Sequence, residues 1–388
     1  MIGEFIGSTT VVLFAIALIV ATRARWLEPW FGGLDKMYRT HRETAVVGFA
    51  LLVGHVALIP WRLTPGGGVP SGVIAFVGFT VMVTLSVAPR VPGLRRVFSI
   101  SYGSWRLSHR FIGFFFFVSL AHLMLVDPLV RTAPGPFILL MTAYVLGTAA
   151  FLYSLLLARF VRRRRPHVVE TARRLNETTV EVGLRPRRNG PLPYRSGQFV
   201  FVTFRRWRLR EPHPFTIGSA PDDPLLRLTV KVSGGFTRRL YERVEPGIKA
   251  TVEGSYGTLD YRRGRRDQIW IAAGIGVTPF LSWCRDLADD ADHRIDFFYT
   301  ARHPDDALFW NEIETRIRSL PRLRAHLNIS SRTGTLTVPR IASLSRFDLS
   351  DIDVFMCGPV PMIHALERGF RRAGVPAAHI HFEEFSFR

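Results

Sequence analysis

Four histidines, His41, His55, His109 and His122, lie on or beside two apolar stretches, Arg42 to Trp61 and Phe111 to Val126. Each stretch has one His at its start and a second 14 or 13 positions later. At about 1.5 Å of helical rise per residue, each pair spans roughly 20 Å of a hydrocarbon layer about 30 Å thick. If the two helices run the same way, His41 faces His109 at one depth and His55 faces His122 at another. A neutral imidazole on each side of a planar iron is a ligand set for haem. Two such pairs imply two b-type haems stacked across a membrane, with these four histidines as iron ligands. A single buried His is explained by a hydrogen bond to a neighbouring helix, but four at matched depths are costly to bury and point to function. A His-lined proton channel is the competing reading. Relays use carboxylates, however, and Glu43 is the acid near these spans.

The spacing carries its own difficulty. Fourteen residues at about 100° each return to within about 40° of one helix face, whereas thirteen miss by about 140°. The helix bearing His109 and His122 must therefore bend, bulge or present its rings from different sides, and Gly113 is where irregularity is expected. Of Phe114 to Phe117, Phe115 is the candidate to sit between the haems. Arg42, Arg106 and Arg110 are candidates to pair with haem propionates, alongside a plain anchoring role.

Positioning those histidines requires membrane spans. Five apolar runs have the length a bilayer needs: Phe5 to Thr22, Glu43 to Trp61, Val69 to Ala88, Phe111 to Val126 and Phe137 to Ala158. No basic segment precedes the first, which therefore reads as an uncleaved helix rather than a signal peptide. The chain of 388 residues carries a net charge of +20 with 47% hydrophobic residues, and its basic residues fall between the apolar runs. That distribution argues for a lipid bilayer and against nucleic acid. Arg23, Arg25, Lys36, Arg39 and Arg42 fill the first loop, Arg90, Arg95, Arg96, Arg106 and Arg110 the third, and Arg159 with Arg162 to Arg165 the last. The second and fourth carry only Arg62, and Arg131 with Asp127. The N-terminus is thus expected outside, and the C-terminal half in the cytoplasm beneath the inner membrane. Cys284 and Cys357 have no metal-ligand spacing and are expected to be reduced.

From Pro166 the pattern changes to short alternating runs: Thr178 to Leu184, Gln198 to Phe204 and Leu225 to Val232. These predict an antiparallel β-barrel over 166–266. Over 267–388 the pattern becomes strand Gln268 to Ala273, glycine loop, helix Thr278 to Ala288, strand Ile295 to Thr300, helix Ala307 to Ser319, and strands His326 to Ser330 and Val354 to Cys357. That alternation predicts an α/β domain on a parallel sheet. The fold class is thus multidomain: a transmembrane helical bundle (1–160), a β-barrel and a nucleotide-binding α/β domain.

His213-Pro-Phe-Thr216, followed by Gly234-Gly-Phe-Thr237, Glu253 to Thr258, Gly274-Ile-Gly-Val-Thr-Pro279 and Cys357-Gly-Pro359, resembles the ordered motifs of the ferredoxin-NADP reductase superfamily. The form is that of its NADPH oxidase and ferric reductase branch, and the resemblance covers nearly the whole chain. It departs from the six-span eukaryotic pattern by one N-terminal span.

The resemblance implies FAD lined by His213, Pro214, Phe215 and Thr216, with the Thr216 hydroxyl near the flavin's reactive nitrogen. Gly234, Gly235, Phe236 and Thr237 would face the FAD pyrophosphate, with Gly254, Tyr256 and Gly257 beside the flavin. Gly274, Gly276, Thr278 and Pro279 follow a strand and open a helix, the context in which a glycine loop holds a dinucleotide. Asp296, about 20 residues on, begins its strand rather than ending it. Arg302, Ser331 and Arg332 at two later strand ends resemble a 2′-phosphate clamp, which favours NADPH over NADH. Cys357, Gly358 and Pro359 would approach the nicotinamide, and Phe385, ahead of Phe387, would cover the flavin. Thr216, Cys357 and Phe385 are the catalytic candidates. The implied activity carries electrons from cytoplasmic NADPH through FAD and two haems to an outer acceptor. Oxygen, yielding superoxide, leads; a ferric chelate or a periplasmic redox partner are the alternatives.

Overall fold

Apolar runs free of internal proline fold as helices, and prolines at Pro70, Pro134 and Pro136 fall in first turns, where a missing N–H leaves nothing unpaired. The computed structural model describes residues 2–59, 68–91, 93–94, 102–126, 129–162, 164–188, 190–288 and 292–383. It divides into two units, Met1–Val161 and Arg162–Arg388.

The first unit contains α1 (Ile2–Val20), a short α2 (Glu28–Phe31), α3 (Leu34–Leu58), α4 (Gly68–Val87), α5 (Tyr102–His109), α6 (Ile112–Leu125), and α7 (Pro134–Leu152). α7 continues through a π-helical turn, Tyr153–Leu157, into α8 (Ala158–Val161). Among the described residues, four helical stretches are long and apolar enough to cross a membrane: Ile2–Val20, Gly68–Val87, Gly103–Leu125 and Pro134–Leu157. The second expected span, within α3, is not among them. α3 begins nine residues earlier than expected and takes in Asp35, Lys36, Arg39 and Arg42. Trp61, Arg62, Arg95, Arg96, Asp127 and Arg163, used in the span and loop-charge reading, lie outside the described residues.

The bundle interior gathers Phe14, Ala15, Phe79, Phe116, Leu140 and Tyr144, and the Tyr144 hydroxyl meets Ser119 Oγ at 3.1 Å. Val53, Val77, Ile138 and Val145 are exposed, an apolar exterior suited to hydrocarbon rather than water. Phe114 and Phe117 also face outward, Phe116 is buried, and Phe115 lies 6.4 Å from the Phe79 ring.

The irregularity required between His109 and His122 is present, but not at Gly113. The helix breaks directly after His109: Arg110 N–H bonds to Leu107 and Phe111 N–H to Ser108, three residues back instead of four. Gly113 serves close helix approach, since a Cβ there would lie 2.1 Å from the Phe151 ring.

The second unit begins with one antiparallel sheet: β1 (Arg164–Asn176), β2 (Thr179–Pro186), β3 (Phe199–Phe204), β4 (His213–Thr216), β5 (Leu226–Lys231), and, after α9 (Gly235–Arg243), β6 (Lys249–Tyr256). Their order is β4-β3-β6-β1-β2-β5. An antiparallel barrel was expected. The sheet curls only part of the way into one, its outer strands β4 and β5 touching at a single bridge between Ile217 and Leu228. β1 starts inside the arginine cluster because Glu253 on β6 pairs with Arg164 at 2.8 Å and Arg162 at 3.6 Å.

A five-stranded parallel sheet follows, ordered β11-β10-β7-β8-β9. Its elements are β7 (Asp267–Ala273), α10 (Thr278–Asp286), β8 (Arg294–Ala301), α11 (Trp310–Ser319), β9 (Leu323–Ile329), α12 (Ser330–Thr333), α13 (Val338–Leu344), β10 (Asp353–Cys357), α14 (Val360–Arg372) and β11 (Ile380–Phe382). Alternate residues of β7 face opposite layers, Trp270 and Ala272 one way, Ile269 and Ile271 the other. The sheet is therefore covered on both sides, as parallel strands require. Strand order reverses between β7 and β10, and ligands bind beyond the strand ends at such a switch point.

At the opposite end of β10, buried Asp353 accepts from His379 Nδ1 at 3.0 Å, His381 Nε2 at 2.9 Å and the Arg265 N–H. Burial alone would raise its carboxyl, but these donors outweigh it and hold the group below the ordinary carboxylate range. A depressed folded pKa stabilises above the unfolded value near 4 and loses that contribution as pH falls through the folded one. Asp353→Asn is expected to destabilise the chain by about 2 kcal/mol at pH 7. Thermal unfolding should show this deficit shrinking as pH drops below about 4.

Candidate functional site

In the first unit, His41 and His109 face each other with ring centroids 6.1 Å apart, and His55 and His122 with centroids 6.5 Å apart. One ion bonded to two imidazole nitrogens at about 2.0 Å each separates the ring centres by roughly 6 Å. The orientation is set from behind. His41 Nδ1 donates to the Ala17 carbonyl at 2.8 Å, His55 Nδ1 to Gly3 at 2.8 Å, and His122 Nδ1 to Gly68 at 2.7 Å. A carbonyl only accepts, so Nδ1 carries the proton and Nε2 keeps the lone pair a metal needs. His109 Nδ1 instead meets a hydroxyl, Ser86 Oγ, at 3.2 Å.

Gly7 and Gly72 make room for this: a Cβ on either would sit 2.7 Å from Nδ1 of His55 or His122. Among the described residues, no group of three or more His, Cys, Asp or Glu converges as a bare-ion site. Two imidazoles alone suit an ion that arrives with its own equatorial ligands, and haem is such a group.

In the second unit, register assembles the flavin motifs. Phe199 pairs with Thr216 on one side and Tyr256 on the other, so both line up across three strands. His213 stacks on Phe236, with ring centroids 3.5 Å apart; Pro214 is half-buried and Phe215 buried. Thr237 Oγ1 accepts from the N–H groups of Ser233 at 2.8 Å and Gly234 at 3.0 Å, closing the turn that opens α9. Gly254 and Gly257 adopt φ of +140° and +103°, where a side chain would be strained.

The switch point holds the motifs expected to meet the nicotinamide cofactor. After β7, Gly274 turns with φ +53°, and Thr278 Oγ1 bonds the Ile275 carbonyl at 2.7 Å. Pro279 lies in the first turn of α10. A Cβ on Gly276 would fall 2.4 Å from the Cys357 carbonyl oxygen and 2.9 Å from Gly358 N, so the glycine loop and the Cys-Gly-Pro turn touch backbone to backbone. Pro359 caps α14. Ser331 N–H bonds the Arg302 carbonyl at 3.1 Å, bringing the ends of β8 and β9 together with Arg302, Ser331 and Arg332 exposed. Asp296 is buried and accepts from Ser345 and Arg346 N–H, each at 2.9 Å, a structural role. Phe385 and Phe387 lie outside the described residues.

Sequence reasoning missed Glu383. Buried to 2% exposure, it accepts from Thr258 N–H at 2.8 Å and Leu259 N–H at 3.2 Å. Burial chiefly, and the Glu383 carboxylate next, push the Cys357 thiol above its ordinary range. Glu383, directly after β11, which pairs with β10, therefore ties the turn at Thr258 and Leu259 to that strand pair, with only its place ahead of an aromatic tail as a sequence signal. A cleft of about 400 Å³ beside the start of α11, lined by Pro304, Phe309, Trp310 and Leu327 among others, was also not foreseen.

Residues 167–262 match the family of FAD-binding domains, and residues 270–368 the oxidoreductase NAD-binding domain. The carnitine monooxygenase reductase subunit of Escherichia coli is 28% identical over 206 residues, covering 50% of this chain and 60% of that protein. NADPH oxidase 1 of Mus musculus is 24% identical over 280 residues, covering 59% and 46%. The chain spans about half the length of the curated relatives it matches. A flavohemoglobin structure from Malassezia yamatoensis shares the fold, with a TM-score of 0.58 at 17% identity over 99% of this chain and 96% of that one. The second unit is therefore an FAD- and NAD(P)H-binding oxidoreductase module.

Burial pushes Cys284 up to about 12 and raises Cys357 too. Iodoacetamide at pH 8 is expected to label neither thiol in the folded chain and both after denaturation. Gly276→Ala, which drives a methyl into the Cys357 carbonyl, is expected to cost about 1–3 kcal/mol. It should raise KM for NADPH with a dye acceptor at least about tenfold.

Proposed function

We propose that this oxidoreductase, a chain of the ferredoxin-reductase and NADPH oxidase kind, moves electrons across the inner membrane. They pass from cytoplasmic NADPH through FAD and two b-type haems to an acceptor outside. The observation that carries the reading is the pair of facing imidazole couples, 6.1 and 6.5 Å between centroids, in the same chain as an FAD- and NAD-binding module. Imidazoles turned toward each other, with Nδ1 already hydrogen-bonded, suit ligand pairs better than a proton channel.

When bound, FAD converts a two-electron donor into single electrons and the haems relay them. The chain's part is to bind and orient. Gly274 to Gly276 and the start of α10 offer backbone N–H groups to a pyrophosphate. Arg302, Ser331 and Arg332 hold the 2′-phosphate that distinguishes NADPH. Cys357, Gly358 and Pro359 bring the nicotinamide to the flavin edge at Thr216, Glu383 fixes the Thr258–Leu259 turn, and Phe385, outside the described residues, is the residue that would cover the flavin. Loop arginines orient five spans with the N-terminus outside, so that His41 and His109 lie toward the cytoplasmic surface and His55 and His122 toward the outer one. His55 and His122 would hold the haem that passes electrons to the outer acceptor, with oxygen, giving superoxide, as the leading candidate.

The reduced-minus-oxidised spectrum of the purified chain is expected to show low-spin b-type bands, and His55→Ala to lose about half of them. Absence of such bands in the unaltered chain would sink the reading. Arg332→Ala is expected to raise KM for NADPH about tenfold while barely moving that for NADH; equal effects would remove the NADPH preference. Superoxide dismutase-sensitive dye reduction, set against anaerobic reduction of ferric chelates, decides the acceptor.

A further inference from the structure

One surface turn of the second unit has a composition that contact with water does not call for. Between β3 and β4, residues 205–210 read Arg-Arg-Trp-Arg-Leu-Arg. Trp207 is 72% exposed, and Arg205, Arg208 and Arg210 are exposed around it. Arg206 pairs with Glu245; among the described residues, the other three arginines have no carboxylate partner.

The turn is held firmly from beneath. Leu209 is buried in the core of the antiparallel sheet, and its N–H bonds the Arg206 carbonyl at 3.0 Å. Arg239 Nε on α9 donates to the Arg208 carbonyl at 3.4 Å. Between these ties Arg208 adopts φ +61°, at the third position of a tight turn, where glycine is the ordinary choice. A buried leucine and a strained arginine thus keep Trp207 at the tip.

Indole is amphipathic and settles at the headgroup level of a bilayer, where arginine meets lipid phosphate. Segments that bind membrane surfaces combine an apolar ring with basic neighbours in this way. The same chain carries four helical stretches long and apolar enough to cross a membrane. A lipid surface is therefore present at high effective concentration, and contacts that are weak singly become populated. A soluble polyanion is also drawn to arginine, but it has to be captured from solution.

We propose that the Arg205–Arg210 turn is a membrane-surface anchor selective for anionic lipid: Trp207 enters the headgroup layer, and Arg205, Arg208 and Arg210 pair with lipid phosphates. The inference rests on the membrane-spanning reading of the first unit and adds a lipid preference to it.

The test is amide hydrogen exchange of the full chain in lipid nanodiscs, read by mass spectrometry over residues 205–211. The discs hold either phosphatidylcholine alone or about one-third phosphatidylserine. Each arginine near an anionic leaflet contributes about fivefold to the docked population. Exchange in the turn is expected to slow at least about tenfold in the anionic discs. It should return to the phosphatidylcholine rate in about 1 M salt, which shortens the screening length to about 3 Å. Trp207→Ser, and separately Arg205→Gln with Arg208→Gln and Arg210→Gln, should each lose the slowing while exchange over β7 stays unchanged. If a variant unfolds, the lipid comparison on the unaltered chain decides by itself. Equal exchange in both discs, slowing that ignores lipid charge as a covering protein or cofactor would give, or slowing that survives both variants overturns the anchor while the membrane-spanning reading stands. A chain that fails to enter the discs overturns both.

Discussion

An imidazole binds a metal only if its other nitrogen holds the proton, and in a low-dielectric helix bundle that choice belongs to whatever lies behind the ring. Three backbone carbonyls, those of Gly3, Ala17 and Gly68, make the choice for His55, His41 and His122. Each is an acceptor that cannot be mutated away, offered by a helix end or by an adjacent helix. The constraint then spreads outward. The ring must reach its carbonyl, so Gly7 and Gly72 stand where a side chain would collide with it. The two rings of a level must face each other, so the helix after His109 must break.

The second unit depends on an equally local constraint, the backbone contact between Gly276 and Cys357–Gly358 at the reversal of strand order. Parallel strands carry their loops to one edge, and reversal parts two neighbouring crossovers so that a ligand can enter between them. The curled antiparallel sheet is tied to that edge by specific bonds. Arg285 reaches the Gly218 carbonyl at 2.6 Å, Ser282 the Ser219 carbonyl at 2.6 Å, and Glu383 the amides after Gly257. The flavin strand and the nucleotide loop therefore belong to one unit.

Much of this was legible before any coordinates. Apolar length, the order of the glycine motifs and the alternation of strand and helix after Asp267 follow from periodicity, which local sequence records. What was hidden depends on partners distant in sequence. β1 is rich in arginine and reads as a charged loop until Glu253, about ninety positions away, pairs with Arg164. That the sheet curls only part of the way into a barrel was hidden too, because alternation reports strands but not how far their edges pair. The break fell at Arg110 and Phe111 instead of Gly113, since glycine there answers to the Phe151 ring rather than to backbone freedom. Ser86 and Glu383 are ordinary residue types in no motif, and only tertiary structure gives them partners.

The central claim is that one chain joins nucleotide oxidation to the paired imidazoles. Anaerobic stopped-flow mixing of the purified chain with NADPH tests it directly. The expected record is loss of flavin absorbance followed by growth of reduced b-type haem bands, with the haem phase abolished in His41→Ala while flavin bleaching persists. Flavin bleaching in the unaltered chain with no haem phase, or haem reduction undiminished without His41, would contradict it.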